Sequence, residues 1–142
     1  MIDIQTLLMA IAMVESGSRD YVVGRNGERS RYQIMERTWK QHSSIPFKDH
    51  ARSPSRSYKV AESHIAWLRA RMPENKMAKV KEVALAWKVG LTNWKQGVWF
   101  PNDEDYAKRV ANLYTDSVAR RTQVENRIEI SVNTTQQTGV HK

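Results

Sequence analysis

The chain opens with apolar residues at helical intervals, Ile4, Leu7, Leu8, Ile11 and Val14, and the run stops on Glu15-Ser16-Gly17. That spacing commits one face of a helix to a core. Glu15 falls four positions after Ile11 and seven after Leu8, at the edge of the buried face rather than opposite it. A carboxyl at the rim of a core loses hydration, and its pKa climbs toward the range where it donates a proton near neutral pH. A solvated glutamate closing a helix before a Ser-Gly turn has the same local sequence. The rest of the chain has to decide between them.

A length of 142 residues, 40% hydrophobic content and five Trp suffice for one core and argue against disorder throughout. With no cysteine, the chain cannot carry a disulfide scaffold, a thiolate zinc site or thiol catalysis. His42, His50, His64 and His141 lack the HxxxH or HExxH spacing of a metal site, so they read as surface or helix-side imidazoles. Neither a metal nor any other cofactor is expected. The net charge of +8 calls for an anionic partner, which nucleic acid and bacterial wall polymers satisfy equally. No run reaches the apolar length of a membrane span. No basic leader precedes an apolar run at Met1-Ile2-Asp3.

Asp3 reads as the N-cap of the first helix, which the pattern ends near Val14 or Glu15. The dipeptide Asn26-Gly27, between Tyr21-Val22-Val23 and the stretch from Glu28, predicts a short β-hairpin or structured loop. A second helix is expected from Gln33 or Met35 to His42, with Ile34, Thr38 and Trp39 inward. Ser53-Pro54 supplies an N-cap and a first-turn proline for a long helix to Met72. A fourth helix, capped by Asn75, carries Val80, Val83, Ala84 and Trp87 and stops at Gly90. Leu91 to Asn102 reads as an aromatic loop, and a last helix runs from Asp103 to Arg121. Beyond Thr122, Ile128, Ile130 and Val132 alternate like an edge strand, and 133–142 reads as a disordered tail. The expected architecture is therefore mainly α: about five helices with one small β-hairpin, in a domain over 1–122 followed by a polar extension over 123–142.

In this order the elements resemble the catalytic domain of lytic transglycosylases, a lysozyme-like family related to goose-type lysozyme. Val14-Glu15-Ser16-Gly17 is similar to the family's helix end with its catalytic glutamate and following serine. Gly27-Glu28-Arg29-Ser30-Arg31-Tyr32-Gln33-Ile34 resembles its glycine-x-x-glycine-x-x-glutamine-apolar stretch, which lines the sugar cleft. Ala86-Trp87-Lys88-Val89-Gly90 looks like its alanine-tyrosine-asparagine-x-glycine helix end. Tyr106 with Val110 is similar to the tyrosine-x-x-x-valine of its last helix, whose tyrosine faces the catalytic acid. Two positions depart from the pattern. Ser30 stands where the family has glycine, and Lys88 where it has asparagine, so that a cation near Glu15 would oppose a raised pKa.

The resemblance implies cleavage of peptidoglycan glycan strands between N-acetylmuramic acid and N-acetylglucosamine, with Glu15 as general acid and then base. It implies a 1,6-anhydro product, the substrate's own N-acetyl oxygen standing in for a second carboxylate. Expected sugar contacts are Ser16, Ser30, Tyr32, Gln33, Trp87 and Tyr106, with Trp94 and Trp99 as further flat faces. A hydrolytic muramidase of the same fold would need a second acid; Asp20, Glu28 and Asp103 are the candidates, with Asp20 read as a surface residue and Glu28 as a solvated turn residue. Arg25, Arg29 and Arg31 either meet stem-peptide carboxylates or keep their loop soluble. A monomer acting at the bacterial wall, in the periplasm or outside, is expected. Without a visible leader it would be phage-delivered, exported by a specialised route, or already processed. A basic nucleic-acid-binding module and a glycan-binding domain that has lost catalysis are the competing classes. The first lacks a reading helix, a zinc finger or an aromatic RNA-binding signature, and no nucleic acid partner is expected.

Overall fold

The computed structural model describes the backbone of residues 1–140 and side chains through residue 135. Eight helices run through these residues: α1 Ile4–Ser16, α2 Glu36–His42, α3 Phe47–His50, α4 Pro54–Ala70, α5 Glu74–Met77, α6 Val80–Val89, α7 Leu91–Gln96 and α8 Pro101–Val140. The start and stop signals of the sequence account for the main ones. Asp3 caps α1 by accepting the Thr6 N–H at 3.2 Å, and Gly17 closes it in the left-handed conformation at φ 65°. Ser53 caps α4, with Pro54 in its first turn. Gly90 ends α6.

The apolar stripe of α1 is the centre of the core. Leu7, Leu8 and Ile11 are fully buried, each stabilising the fold by about 1.5–3 kcal/mol through removal of apolar surface from water. Helix α4 packs on α1, α2 and α6 through Val60, Ala61, Ile65 and Leu68, and α8 packs along α1 and α6 through Ala107 and Val110. Trp39 of α2 is also fully buried; its indole N–H donates to the Ile45 carbonyl at 2.7 Å, and its ring meets Phe47 edge-on. The two ends of the chain's ordered core are tied together. The Asp3 N–H donates to the Tyr114 hydroxyl at 2.9 Å, and Arg121 pairs with the Asp3 carboxylate at 2.6 Å.

Several expectations are corrected. The helix expected to start from an Asn75 cap is two, α5 and α6, with Asn75 inside α5 and Lys79 at the N-cap of α6. The Asn26-Gly27 turn forms, with the Gly24 N–H donating to the Glu28 carbonyl at 2.8 Å and Gly27 at φ 85°. Its flanks do not pair as strands, however, and among the described residues the β character is one isolated antiparallel bridge, Arg29 with Ile34. The aromatic loop from Leu91 contains the short helix α7, bracketed by Gly90 and Gly97. The proposed edge strand at Ile128, Ile130 and Val132 is helical: α8 runs unbroken through it and through 133–140, where a disordered tail was expected. Residues 141 and 142 lie outside the described residues.

Candidate active site

Four elements converge on Glu15. Helix α1 delivers the carboxyl at its last turn, the 24–35 loop forms one wall, α6 brings Trp87 and Lys88, and α4 brings His64; together they line a cleft of about 230 Å³. From beneath, Tyr106 of α8, only 6% exposed, donates its hydroxyl to Glu15 Oε2 at 3.0 Å. Ile34, Met35 and Trp87 give the cleft an apolar side, and Asn26, Glu28, Gln33 and Lys88 a polar one. This mixture suits a sugar, with its apolar ring faces and hydroxyl edges.

Glu15 holds its proton more tightly than an ordinary glutamate. Loss of hydration is the largest influence and raises its pKa; the Tyr106 hydroxyl, the Lys88 charge and hydrogen bonding from Trp87 each pull it down, and the Glu28 charge pushes it up again. The net direction is upward. Lys88 does act as a cation against Glu15, but its side chain is exposed and its ammonium lies 5.5 Å from the centre of the Tyr106 ring. Water screens it, so burial wins. The Tyr106 hydroxyl itself, buried beside that carboxyl, is pushed well above the ordinary phenol range and remains a proton donor throughout.

Of the expected sugar contacts, Gln33, Trp87 and Tyr106 gather at Glu15; Ser16, Ser30 and Tyr32 do not line the cleft. Ser16 is buried, donating to the Arg31 carbonyl at 2.8 Å and accepting the Arg19 N–H at 3.1 Å. It locks the end of α1 to the loop. Ser30 is fully buried at φ 74°, its hydroxyl accepting the Tyr32 N–H at 3.1 Å. That left-handed backbone explains why glycine suits the position. Tyr32 lines a different cavity, on the face of α1 shared with Tyr58 and Arg121. Gln33 is anchored by two donations from Nε2, to the carbonyls of Val22 and Ser30, both at 2.9 Å, which leaves Oε1 as its free acceptor.

Trp94 and Trp99 stay outside the cleft, their indoles donating to Glu82 and Glu104 at 2.9 Å each. Asp20 is spent in a bidentate pair with Arg31, at 2.7 and 2.8 Å, which holds its carboxyl below the usual range. Asp103 accepts the Phe100 N–H at 2.9 Å. Glu28 is the carboxylate that reaches the cleft, which corrects its reading as a solvated turn residue. The Asn26 N–H holds its Oε1 at 2.6 Å, and its carboxyl, with Gln33 Oε1, occupies the space a Cβ on Gly24 would need.

His64 also lines this cleft, contrary to its reading as a helix-side imidazole. A signal existed: it lies three residues after Ala61 and four before Leu68, on the rim of the buried stripe of α4. Among the described residues there is no group of His, Cys, Asp and Glu able to hold a metal.

A desolvated carboxyl at the end of a buried helix, bonded by a tyrosine from the last helix in a cleft it shares with Glu28, is the arrangement expected of a lysozyme-like glycan-cleaving domain. The family comparison agrees: the chain belongs to the transglycosylase SLT domain family, whose pattern matches residues 3–112. It is accordingly a peptidoglycan lytic transglycosylase, an enzyme that acts on the bacterial cell wall. No curated protein and no solved structure matches the chain. No described helix is long and apolar enough to cross a membrane.

Proposed function

We propose that the protein breaks the β-1,4 bond between N-acetylmuramic acid and N-acetylglucosamine through Glu15 alone, first as acid and then as base, and leaves a 1,6-anhydromuramoyl end. The observation that carries this reading is the Glu15 carboxyl, desolvated in the cleft and accepting from Tyr106 at 3.0 Å. The protonated acid gives its proton to the glycosidic oxygen as the C1–O4 bond breaks, and the acetamido oxygen of the same sugar bonds to C1. The ionised Glu15 then takes the proton of the 6-hydroxyl while O6 displaces the acetamido oxygen from C1. That step returns the acid form and consumes no water. The Tyr106 hydroxyl steadies the carboxylate between the two transfers. Gln33 Oε1 and the Trp87 ring offer the glycan a hydrogen bond and an apolar face. We also read the chain as a monomer, with residues 123–142 an extension of the catalytic domain.

A hydrolytic second reading is favoured by one observation, the Glu28 carboxylate lining the same cleft as Glu15. A second carboxylate can deprotonate a water, as in two-carboxylate glycosidases. Mass spectrometry of fragments from purified wall separates the two, because an anhydro end is lighter than a hydrolysed end by one water. Glu15→Gln should lower fragment release by about 10³-fold or more while glycan binding survives, since positioned proton transfer is worth about 10²–10⁴. Full activity in that variant, or hydrolysed ends from the wild type, refutes the single-glutamate mechanism.

A further inference from the structure

The imidazole of His64 is a polar group lining the cleft that the proposed chemistry leaves idle. Its ring stacks on Trp67, centroids 5.5 Å apart and 12° from parallel, and the Arg71 guanidinium sits 4.3 Å from the centre of the Trp67 ring. It also meets Trp87, the cleft-lining aromatic, edge-on at 5.5 Å. His64 Nδ1 lies 2.9 Å from His42 Nε2, and no other hydrogen bond or ion pair of the His64 ring occurs among the described residues. The rings of His42, Trp67 and Trp87 and one hydrogen bond thus hold the imidazole, and they leave Nε2 without a partner among the described residues in a ring that lines the same cleft as Glu15.

Such a clamp exceeds what a packing residue needs. A leucine would fill this stripe position without bringing a second histidine to satisfy it. Burial and the neighbouring His42 depress the His64 pKa to about 4, so the ring is neutral wherever the acid works. Of the charged groups lining the cleft, Glu15, Glu28 and Lys88, none is hydrogen-bonded to it. A neutral imidazole with one nitrogen committed carries one directional donor or acceptor at the other. Such a group can hydrogen-bond a sugar hydroxyl or acetamido group.

We propose that His64 is a substrate-binding residue that hydrogen-bonds the hexosamine beside Glu15 through Nε2, and that His42 is the positioning residue that fixes its tautomer. If His42 donates, His64 Nε2 carries a proton and meets a sugar carbonyl or hydroxyl oxygen. If His64 donates, Nε2 accepts from a hydroxyl or an acetamido N–H. Either way the bond is made to the ground state and the transition state alike, so its loss appears in KM rather than in kcat. The inference rests on the glycan-cleaving reading above and adds a residue to its binding surface.

The test uses the full chain and purified, uncrosslinked glycan strands. His64→Phe keeps an aromatic ring in the stack and removes the bond; KM should rise about 3- to 10-fold, the span of a neutral hydrogen bond, with kcat within about twofold. His64→Gln restores an amide near the Nε2 position and should recover most of the loss. His42→Phe should raise KM by a smaller factor. Because a ring substitution can disturb folding, the histidine side-chain 15N resonances of Glu15→Gln give an independent readout. At saturating glycan the His64 Nε2 signal should move while that of the exterior His50 stays in place. An unmoved His64 signal, an unchanged KM in His64→Phe, or a Gln variant as impaired as the Phe one overturns the inference. A wild type that releases no fragments from the strands overturns the glycan-cleaving reading instead.

Discussion

Ser16→Ala distinguishes a serine that touches sugar from one that holds the site together. The Ser16 hydroxyl is buried and stands between the last turn of α1 and the loop that carries Gln33. It donates to the Arg31 carbonyl at 2.8 Å, with the Ala12 carbonyl at 3.2 Å as an alternative, and accepts the Arg19 N–H at 3.1 Å. Alanine leaves that carbonyl and that N–H without the hydroxyl. An unsatisfied buried polar group costs about 1–3 kcal/mol. The better helix propensity of alanine offsets about 0.5 kcal/mol of this. A net loss of about 2 kcal/mol follows, which for a domain of this size lowers Tm by roughly 4–8 °C.

The activity change should follow from the same displacement. Glu15 is the residue immediately before Ser16, and the loop it grips carries the opposite wall of the cleft. A shift of about 1 Å between reacting groups can cost up to about 10²-fold. We expect kcat/KM to fall by about tenfold, mainly in kcat. Calorimetry and initial rates on glycan strands check both arms. A Tm within about 1 °C of wild type together with a raised KM would refute the reasoning and restore Ser16 as a sugar contact.

Tyr106→Phe removes the hydroxyl that favours the ionised form of Glu15, so the acid should keep its proton to higher pH and the alkaline limb of kcat/KM should move upward, while the maximal rate falls; a limb that moves down contradicts the assigned electrostatics. Gly24→Ala should disturb activity more than folding, because its Cβ would come within 2.6 Å of Glu28 Oε2 and 2.7 Å of Gln33 Oε1, so that both side chains must shift from their present bonds in the cleft wall. We expect a several-fold loss of kcat/KM with Tm within about 2 °C, measured by the same two assays. The folded-state pKa of His64 is depressed from 6.5 to about 4. Its neutral form therefore supports the fold above pH 6.5, and that support is lost as pH falls through about 4. The full shift corresponds to about 3 kcal/mol, and partial exposure reduces it to about 1–2 kcal/mol. Urea unfolding at pH 7 and pH 4 should show that extra loss in wild type and not in His64→Gln.

What could be read from the sequence was whatever a local rule decides. Asp3, Gly17, Ser53-Pro54 and Gly90 set helix ends through caps and turns a few residues long, and all four do so. Glu15 was legible because helical spacing put it on the rim of a buried face, and Tyr106 through the resemblance of the last helix to the family's tyrosine-x-x-x-valine pattern. Glu28 and His64 were not. The position of Glu28 depends on Gly24 and Asn26 folding beneath it, and that of His64 on His42, Trp67 and Trp87 from three helices. Neither arrangement has a signature along the chain. Helix α7 escaped for the opposite reason: six residues between two glycines have little helical tendency of their own, and packing on α6 supplies it.

The misread C-terminal segment shows how far alternation alone can be pressed. Ile128, Ile130 and Val132 have the period of a strand, but a strand is stable only when another strand takes its hydrogen bonds. The described residues contain no sheet for it to join. A helix already running out of the core needs no partner, because each added residue closes its own backbone bond to the turn before it. Arg121 fixes the departure of α8 by pairing with Asp3 and bonding Thr6 of α1, so the segment beyond it leaves the domain as a helix already nucleated. Cutting that tie tests the argument. Arg121→Ala should reduce far-ultraviolet helical circular dichroism by more than the loss of one residue's contacts would, as the unsupported end frays. An unchanged helical signal would mean that the segment holds its helix by local propensity, and that the ion pair to Asp3 plays no part in it.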